Sequence, residues 1–182
     1  MHADDQVDEG VSPELAWFLR SAGDHRPVRI VPAVCDRCGG RVFCVLVDDV
    51  EGAAERVCAG CGDRAFVADS EEFWEDADPG EAGCPCGSEE FETAVAFSLA
   101  DDGSVRWVTV GLRCRQDGAV GVYADWKIDY GPTDHLFGMV QVSTSGGQRS
   151  PERTAGPDRS PQAGTERPCV IPVKAPGQGE GR

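Results

Sequence analysis

Mainly β structure with short helices is the fold class this sequence predicts: two small antiparallel β units, preceded by a short N-terminal helix and followed by a disordered tail. Three observations predict it. Cys35-Asp-Arg-Cys38-Gly-Gly and Cys58-Ala-Gly-Cys61-Gly are two C-x-x-C-G hooks with nineteen residues between Cys38 and Cys58, each beside a run rich in β-branched and aromatic residues. A second set, Cys84-Pro-Cys86-Gly and Cys114-Arg-Gln-Asp117-Gly, repeats the arrangement around another pair of β-rich runs. Beyond Val142 the composition falls to Ser, Gly, Pro, Gln, Arg and Thr, with too little apolar mass for a core.

In chain order, residues 1–10 are acidic and predict a flexible lead. Residues 11–25 hold the helix. Ser12-Pro13-Glu14 supplies an N-cap, a first-turn proline and an acid at the positive end of the helix dipole, and Leu15, Phe18 and Leu19 form one apolar stripe ended by Gly23. So short a helix holds only when docked, and the stripe with Trp17 is expected to pack on the first β unit, residues 26–68. There Val28 to Val34 leads into the first hook, Arg41 to Val47 is a strand, Asp48 to Gly52 a turn, a second strand runs into Cys58, and Arg64 to Val67 makes a third.

Residues 69–82 form an acidic connector carrying Phe73 and Trp74, either a solvated linker whose aromatics tuck back onto the first unit or a docking segment. The second unit, 83–142, has strands at Phe91 to Leu99 and Val105 to Leu112 about an Asp101-Asp102-Gly103 turn, and a further strand at Val120 to Tyr123. Trp126, Ile128 and Tyr130 alternate as an edge strand would, and Thr133 is placed to cap a short helix with Leu136, Phe137 and Val140 on its apolar side. Residues 143–182 are the tail.

The order of hook, strand, turn, strand and hook over residues 33 to 68 resembles the zinc ribbon. The resemblance implies a ribbon fold with Cys35, Cys38, Cys58 and Cys61 as zinc ligands, and it implies no one function, because ribbons serve in many roles. Four thiolates close a tetrahedral shell with no open position, the pattern of a structural rather than a catalytic zinc. A redox C-x-x-C would open a helix, whereas Gly39-Gly40 and a β-rich run follow Cys38. Set against the first unit, Asp117 stands where a fourth cysteine would, so the chain reads as a tandem of ribbons with the second one modified. Cys84, Cys86, Cys114 and Asp117 are its candidate ligands, and three readings stay open: a second structural zinc, a site that has lost its metal, or an open three-cysteine site able to activate water. For the last, Glu89, Glu90 and His135 are candidate general bases. The start at Cys84-Pro-Cys-Gly-Ser88 is also similar to the opening of the SEC-C zinc motif, whose closing Cys-Cys or Cys-His pair this chain lacks.

Cys44 is expected to be a small core residue, Cys169 a bystander in the tail, and His2 and His25 belong to no constellation. The first twenty residues show no secretory signal, so the cysteines are expected to stay reduced in a cytoplasmic setting, and no apolar run is long enough for a membrane span. Only two lysines stand beside fifteen arginines, with abundant Ala and Gly, the composition of a bacterial gene rich in GC. Up to Val142 there are 28 acidic against 11 basic side chains, a balance of −17 within a total of −15. Such a body repels phosphate backbones, which disfavours nucleic acid as a partner despite Arg113 and Arg115 near the second hook. No phosphate-binding glycine loop and no Ser-His-Asp set occurs. The sequence therefore points first to a non-enzymatic protein-interaction or adaptor module, of which an immunity or antitoxin protein is one form. It would offer Phe73, Trp74, Trp107 and Trp126 to a protein partner. A nucleic-acid-binding ribbon and a metal-dependent hydrolase at the second site are the alternatives.

Overall fold

A computed structural model describes residues 10–22, 27 and 29–138 of the chain. The acidic lead before Gly10, His2, His25, Gly23, the tail and Cys169 lie outside the described residues. Within them the architecture is mainly antiparallel β: helix α1 (Pro13–Ser21), strands β1 (Arg29–Pro32), β2 (Val42–Asp48), β3 (Ala53–Cys58) and β4 (Arg64–Phe66), the single turn α2 (Ser70–Phe73), strands β5 (Gly80–Glu81), β6 (Phe91–Leu99), β7 (Val105–Cys114) and β8 (Val120–Lys127), and a 3-10 turn at Asp134–Phe137.

All eight strands belong to one sheet. Its spine runs β4-β3-β2-β6-β7-β8, with β1 paired to β6 and β5 to β2. The two cysteine-bearing units are thus joined where β2 meets β6, at Val42↔Glu92 and Phe43↔Phe91. They are tied again where β1 pairs with β6 from Arg29↔Phe97 to Pro32↔Ala94, and the connector adds a third tie, because β5 pairs Leu46↔Glu81 and Val47↔Gly80 along β2.

Side-chain alternation gives this sheet two faces. One carries the main core: Phe43 and Val45 of β2, Phe91, Val95 and Phe97 of β6, Val108, Val110 and Leu112 of β7, and Ala124 and Trp126 of β8, all buried. The sheet curls so that this face closes on itself. Gly52, in the turn between β2 and β3, lies against Trp126 of β8, where a Cβ would come within 2.6 Å of the Trp126 Cβ. Asp69, which follows β4, is 3% exposed and accepts hydrogen bonds from Trp126 Nε1 at 3.0 Å and from the Tyr130 hydroxyl at 2.7 Å. A buried carboxylate needs such partners, and here they come from the far end of the sheet.

Helix α1 covers the other face, and its place differs from the expected one. Leu15, Ala16 and Leu19 pack with Ala94 and Ala96 of β6 in the second unit, and the first unit contributes only Ile30 of β1 to this cluster. Small residues make room for it: a Cβ on Gly111 of β7 would sit 2.6 Å from the Leu19 Cδ2. The helix start is held electrostatically as well. The Ser12 side chain makes no cap bond, but the Ser12 N–H donates to Glu92 Oε1 at 2.6 Å, and Arg113 approaches both Glu92 and Glu14. Trp17 points outward, 71% exposed, instead of packing with the stripe.

Two further expectations need correction. Thr133 does not cap the turn that follows it; its Oγ1 accepts from the Val105 N–H at 2.7 Å, a bond that ties the C-terminal turn to the start of β7. Trp126 is not a surface aromatic, since the pleat turns it into the core and its indole N–H is taken up by Asp69. Trp107 is half-buried and donates from Nε1 to Asp125 at 2.9 Å. Trp74 folds back onto the outer face of β2 and β3 beside Cys44, Leu46 and Val57, edge-on to Phe66 at 5.1 Å.

Candidate metal centres

Each hook is a tight knuckle in which the backbone wraps around a sulfur. In the first, the Cys35 N–H donates to the Gly40 carbonyl and the Gly39 N–H returns to the Cys35 carbonyl, both at 2.8 Å. The Cys58 knuckle repeats this with Asp63 and Gly62, again at 2.8 Å, and the Cys114 knuckle with Ala119 and Gly118, at 2.8 and 3.1 Å. Gly39, Gly62 and Gly118 have φ of 71°, 73° and 77°. This left-handed backbone strains residues bearing a Cβ, so the glycine after each hook is part of the knuckle.

The Cys84 hook is the same device one residue shorter. Its N–H donates to the Ser88 carbonyl, four residues on instead of five, and Gly87 (φ 89°) closes it. C-x-C therefore replaces C-x-x-C here by shortening the loop. Asp117, by contrast, sits in a full-length knuckle at the position Cys61 occupies in its own, three residues after the first ligand.

These knuckles bring two groups of ligand atoms together. In each of the sets Cys35, Cys38, Cys58, Cys61 and Cys84, Cys86, Cys114, Asp117 the ligand atoms all lie within 4.8 Å of one another. In the first, Sγ atoms approach to 3.5 Å across Cys35 and Cys61 and across Cys38 and Cys58. In the second, Cys86 and Cys114 are 3.6 Å apart and both Asp117 oxygens lie 3.5 Å from the Cys84 Sγ. Both groups could hold a metal ion. Cys35, Cys58, Cys84 and Cys114 are buried, whereas Cys38, Cys86 and Asp117 are exposed, so each centre has an inner wall and an open rim.

So many acidic groups cannot all ionise side by side, and the thiols divide accordingly. The Gly40 N–H and the neighbouring thiols draw Cys38 down, while burial pushes Cys58 up. At Cys61 the Asp63 N–H lowers the thiol, but burial and the competing thiols outweigh it and carry it up to about 12. In the second group the Cys86 N–H favours the Cys84 thiolate, yet burial and its neighbours take it up to about 12. Burial opposes ionisation at Cys114, and the N–H groups of Asp117 and Gln116 reverse the balance and pull it down. Asp117 is lowered, first by the Ala119 N–H at 2.9 Å and then by the thiols. A cation among these atoms would let every ligand ionise, with release of the protons that the raised thiols retain.

The two groups share a wall. Register places Cys58 opposite Phe43, Phe43 opposite Phe91 and Phe91 opposite Cys114, so these four buried residues form one row across β3, β2, β6 and β7. Three strand spacings separate the end residues, roughly 15 Å. Tyr123 leans on Phe91 at 5.5 Å between ring centroids and donates to the Gly83 carbonyl, walling the second group from the side of β8.

The other candidate residues lie apart. Neither Glu89 nor Glu90 belongs to the second group; the Glu90 N–H bonds the Ser88 Oγ, and its carbonyl accepts from the Arg115 N–H. His135 follows Thr133 at the start of β7, and Cys114 ends that strand nine residues from Val105, roughly 30 Å away. The expectation of His135 as a base at the second centre is therefore corrected by distance. Cys44 is buried in β2 on the face away from Phe43 and joins neither group. Phe73 is 38% exposed. Sequence reasoning passed over Asp69 and Arg56, two buried charged residues. Asp69 lies among six other acids in the connector and Arg56 in a strand, and nothing local marks either one out.

In comparisons with known proteins no family model matches this chain, nor does any curated protein or solved structure. What defines the chain is thus its own geometry: an antiparallel β protein with two cysteine-rich groups suited to metal ions. No helix among the described residues is long and apolar enough to cross a membrane.

Proposed function

We propose that this chain is a zinc protein of zinc-ribbon type, in which two metal centres at one end of a shared sheet hold the fold, and that it works as a non-enzymatic protein-interaction module of a bacterial cytoplasm. The observation that carries the metal reading is the ligand geometry. A tetrahedral zinc with Zn–S near ~2.3 Å needs sulfurs about 3.8 Å apart, and the opposed pairs stand at 3.5 to 3.6 Å with every ligand atom within 4.8 Å of the others. Tetrahedral sulfur-rich sites select zinc or iron–sulfur chemistry, and single-ion S4 and S3O shells suit zinc. Asp117 takes the fourth corner of the second shell, so both shells are closed by protein ligands and their role is structural.

Support for the interaction role is the strongly acidic body together with Trp17 and Phe73 at the surface. Such a surface suits a basic protein partner, bound through charge complementarity with aromatic anchors. Of the two arginines near the second hook, Arg113 gives nucleic-acid binding no support, because it is turned toward Glu14 and Glu92.

Metal counting under native conditions tests the reading. Two zinc ions per chain are expected, one remaining in Cys61→Ser, with the second held more weakly in Asp117→Ala. A chain that carries no metal and keeps its fold after exhaustive chelation refutes it. For the interaction role, capture of a basic partner at moderate salt should weaken in Trp17→Ala and Phe73→Ala; capture indifferent to both substitutions refutes that part.

A further inference from the structure

Arg56 is the one arginine of the described residues that the fold buries, and no ion pair explains it. It lies on β3 at 3% exposure. Its Nε has no hydrogen-bond partner, and among the described residues no carboxylate lies within ion-pair distance. A guanidinium stays charged at any ordinary pH, so its burial is costly unless some other anion stands nearby. Its contacts show where that anion belongs. Alternation along β3 puts Arg56 on the same face as Cys58, two residues on. One terminal nitrogen donates to the Val34 carbonyl at 2.6 Å, the residue before Cys35. The guanidinium also lies 5.0 Å from the ring centroid of Phe43, the residue directly opposite Cys58. Arg56 thus touches the approach to one hook, the wall of the centre and the strand that carries the other hook.

We infer that the Arg56 guanidinium is the built-in countercharge of the first metal centre, a positioning residue that raises its metal affinity by offsetting the charge of a buried tetrathiolate. The inference rests on zinc occupying Cys35, Cys38, Cys58 and Cys61. Four thiolates around a divalent ion leave a net charge of about −2, and Cys35 and Cys58 hold part of it out of solvent. Arg56 stands on the face of β3 that carries Cys58, bonds the carbonyl before Cys35 and has no carboxylate partner of its own among the described residues. The charge of the loaded centre is the anion that its burial calls for, and Arg56 in turn stabilises the loaded form. The second centre has no such residue: the nearest arginine on β7, Arg113, faces the opposite side of the sheet, toward Glu14 and Glu92.

The test is metal affinity of the full chain, measured by competition with a chromophoric chelator for zinc and followed with cobalt, whose thiolate charge-transfer bands report an S4 shell. Arg56→Met keeps the length and apolar stem and removes the charge, and Arg56→Lys keeps the charge. Outer-shell substitutions typically cost about 10–100-fold in metal affinity. Arg56→Met is expected to lose that much at the first centre only, with the cobalt S4 spectrum preserved at saturation, and Arg56→Lys to recover most of the loss. Equal affinities for wild type and Arg56→Met overturn the inference, and so does equal weakening in the Met and Lys variants, which would assign Arg56 a packing role. Should Arg56→Met fail to fold even with zinc, Arg56→Gln replaces it: Lys binding more tightly than Gln supports the countercharge, and Lys equal to Gln overturns it. A wild type that takes up no metal at the first centre refutes the zinc reading itself, a result distinguishable from all of these.

Discussion

Replacing Asp69 with alanine opens the seam where the curled sheet meets itself. The carboxylate accepts from Trp126 Nε1 at 3.0 Å and from the Tyr130 hydroxyl at 2.7 Å, across 57 and 61 residues of sequence. A hydrogen bond to a charged group contributes about 1.5–3 kcal/mol, and a buried donor left without an acceptor costs about 1–3 kcal/mol. The two donors differ in what replaces the lost partner. Trp126 is 9% exposed and its N–H finds no water, whereas Tyr130 is 40% exposed and its hydroxyl turns to solvent. Trp126 thus sets most of the loss, and Asp69→Ala is expected to destabilise the metal-loaded protein by about 2–4 kcal/mol, toward the upper range of single substitutions. Asp69→Asn, which keeps one oxygen for the indole, should cost about half as much, and Tyr130→Phe about 1 kcal/mol. The assay is urea unfolding at saturating zinc, followed by far-UV circular dichroism, with a double-mutant cycle between Asp69→Ala and Tyr130→Phe to isolate the phenol bond. An Asp69→Ala midpoint indistinguishable from wild type, or a cycle with no coupling, would refute the latch.

The same seam predicts a titration. Both tyrosines of the chain are raised, Tyr130 by burial and then by the Asp69 carboxylate, Tyr123 chiefly by burial. Because the folded values lie above the unfolded one, the stability they contribute is fully present below about pH 10 and fades as pH climbs through the folded values. Native protein should show little tyrosinate absorbance at about pH 10, where a free phenol is half ionised, and Asp69→Ala should bring one tyrosine back toward that value. Gly111→Ala drives a Cβ into Leu19, 2.6 Å away, and overpacking of that kind costs about 1–3 kcal/mol. Combining it with Leu19→Ala should lose less than the two single changes together, and strict additivity in urea unfolding would count against the docked helix. Cys61→Ser should abolish metal uptake at the first centre and unfold β2–β4, seen as lost amide protection confined to that region. Asp117→Cys, which restores a fourth thiolate in an otherwise standard knuckle, should tighten the second centre against chelators; a weaker centre would mean that Asp117 is no ligand.

Several features of this molecule are legible residue by residue. The strand at Phe91–Leu99 follows from its own β-branched and aromatic content and the Asp101-Asp102-Gly103 turn after it, and the hooks follow from glycines placed where a knuckle needs left-handed backbone. Asp117 is legible too, because knuckle geometry spans only five residues and comparison with Cys61 shows which position it fills. Trp126 reads as a surface aromatic in the sequence and lies in the core. Alternation along β8 says that Trp126 and Ala124 share a face, but not that Gly52 and Asp69 cover that face from the opposite end of the sheet. The seat of helix α1, mostly on the second unit with Ile30 from the first, is hidden for a similar reason: its apolar stripe requires a partner without naming one, and Gly111, Ala94 and Ala96 look ordinary in a strand until Leu19 is set against them.

By itself, then, the sequence determined where the strands run, where the chain turns around a sulfur, and which residue types meet at each centre. These are interactions among neighbours along the chain, and their geometry is fixed by covalent reach and backbone conformation. Only the tertiary structure decided that β2 and β6 fuse the two units into one sheet, that α1 covers the second, that Asp69 fastens the seam and that Arg56 stands behind the first centre. Each of these depends on strand register and on the curl of the sheet, which bring together residues far apart in sequence, and no short stretch encodes that meeting.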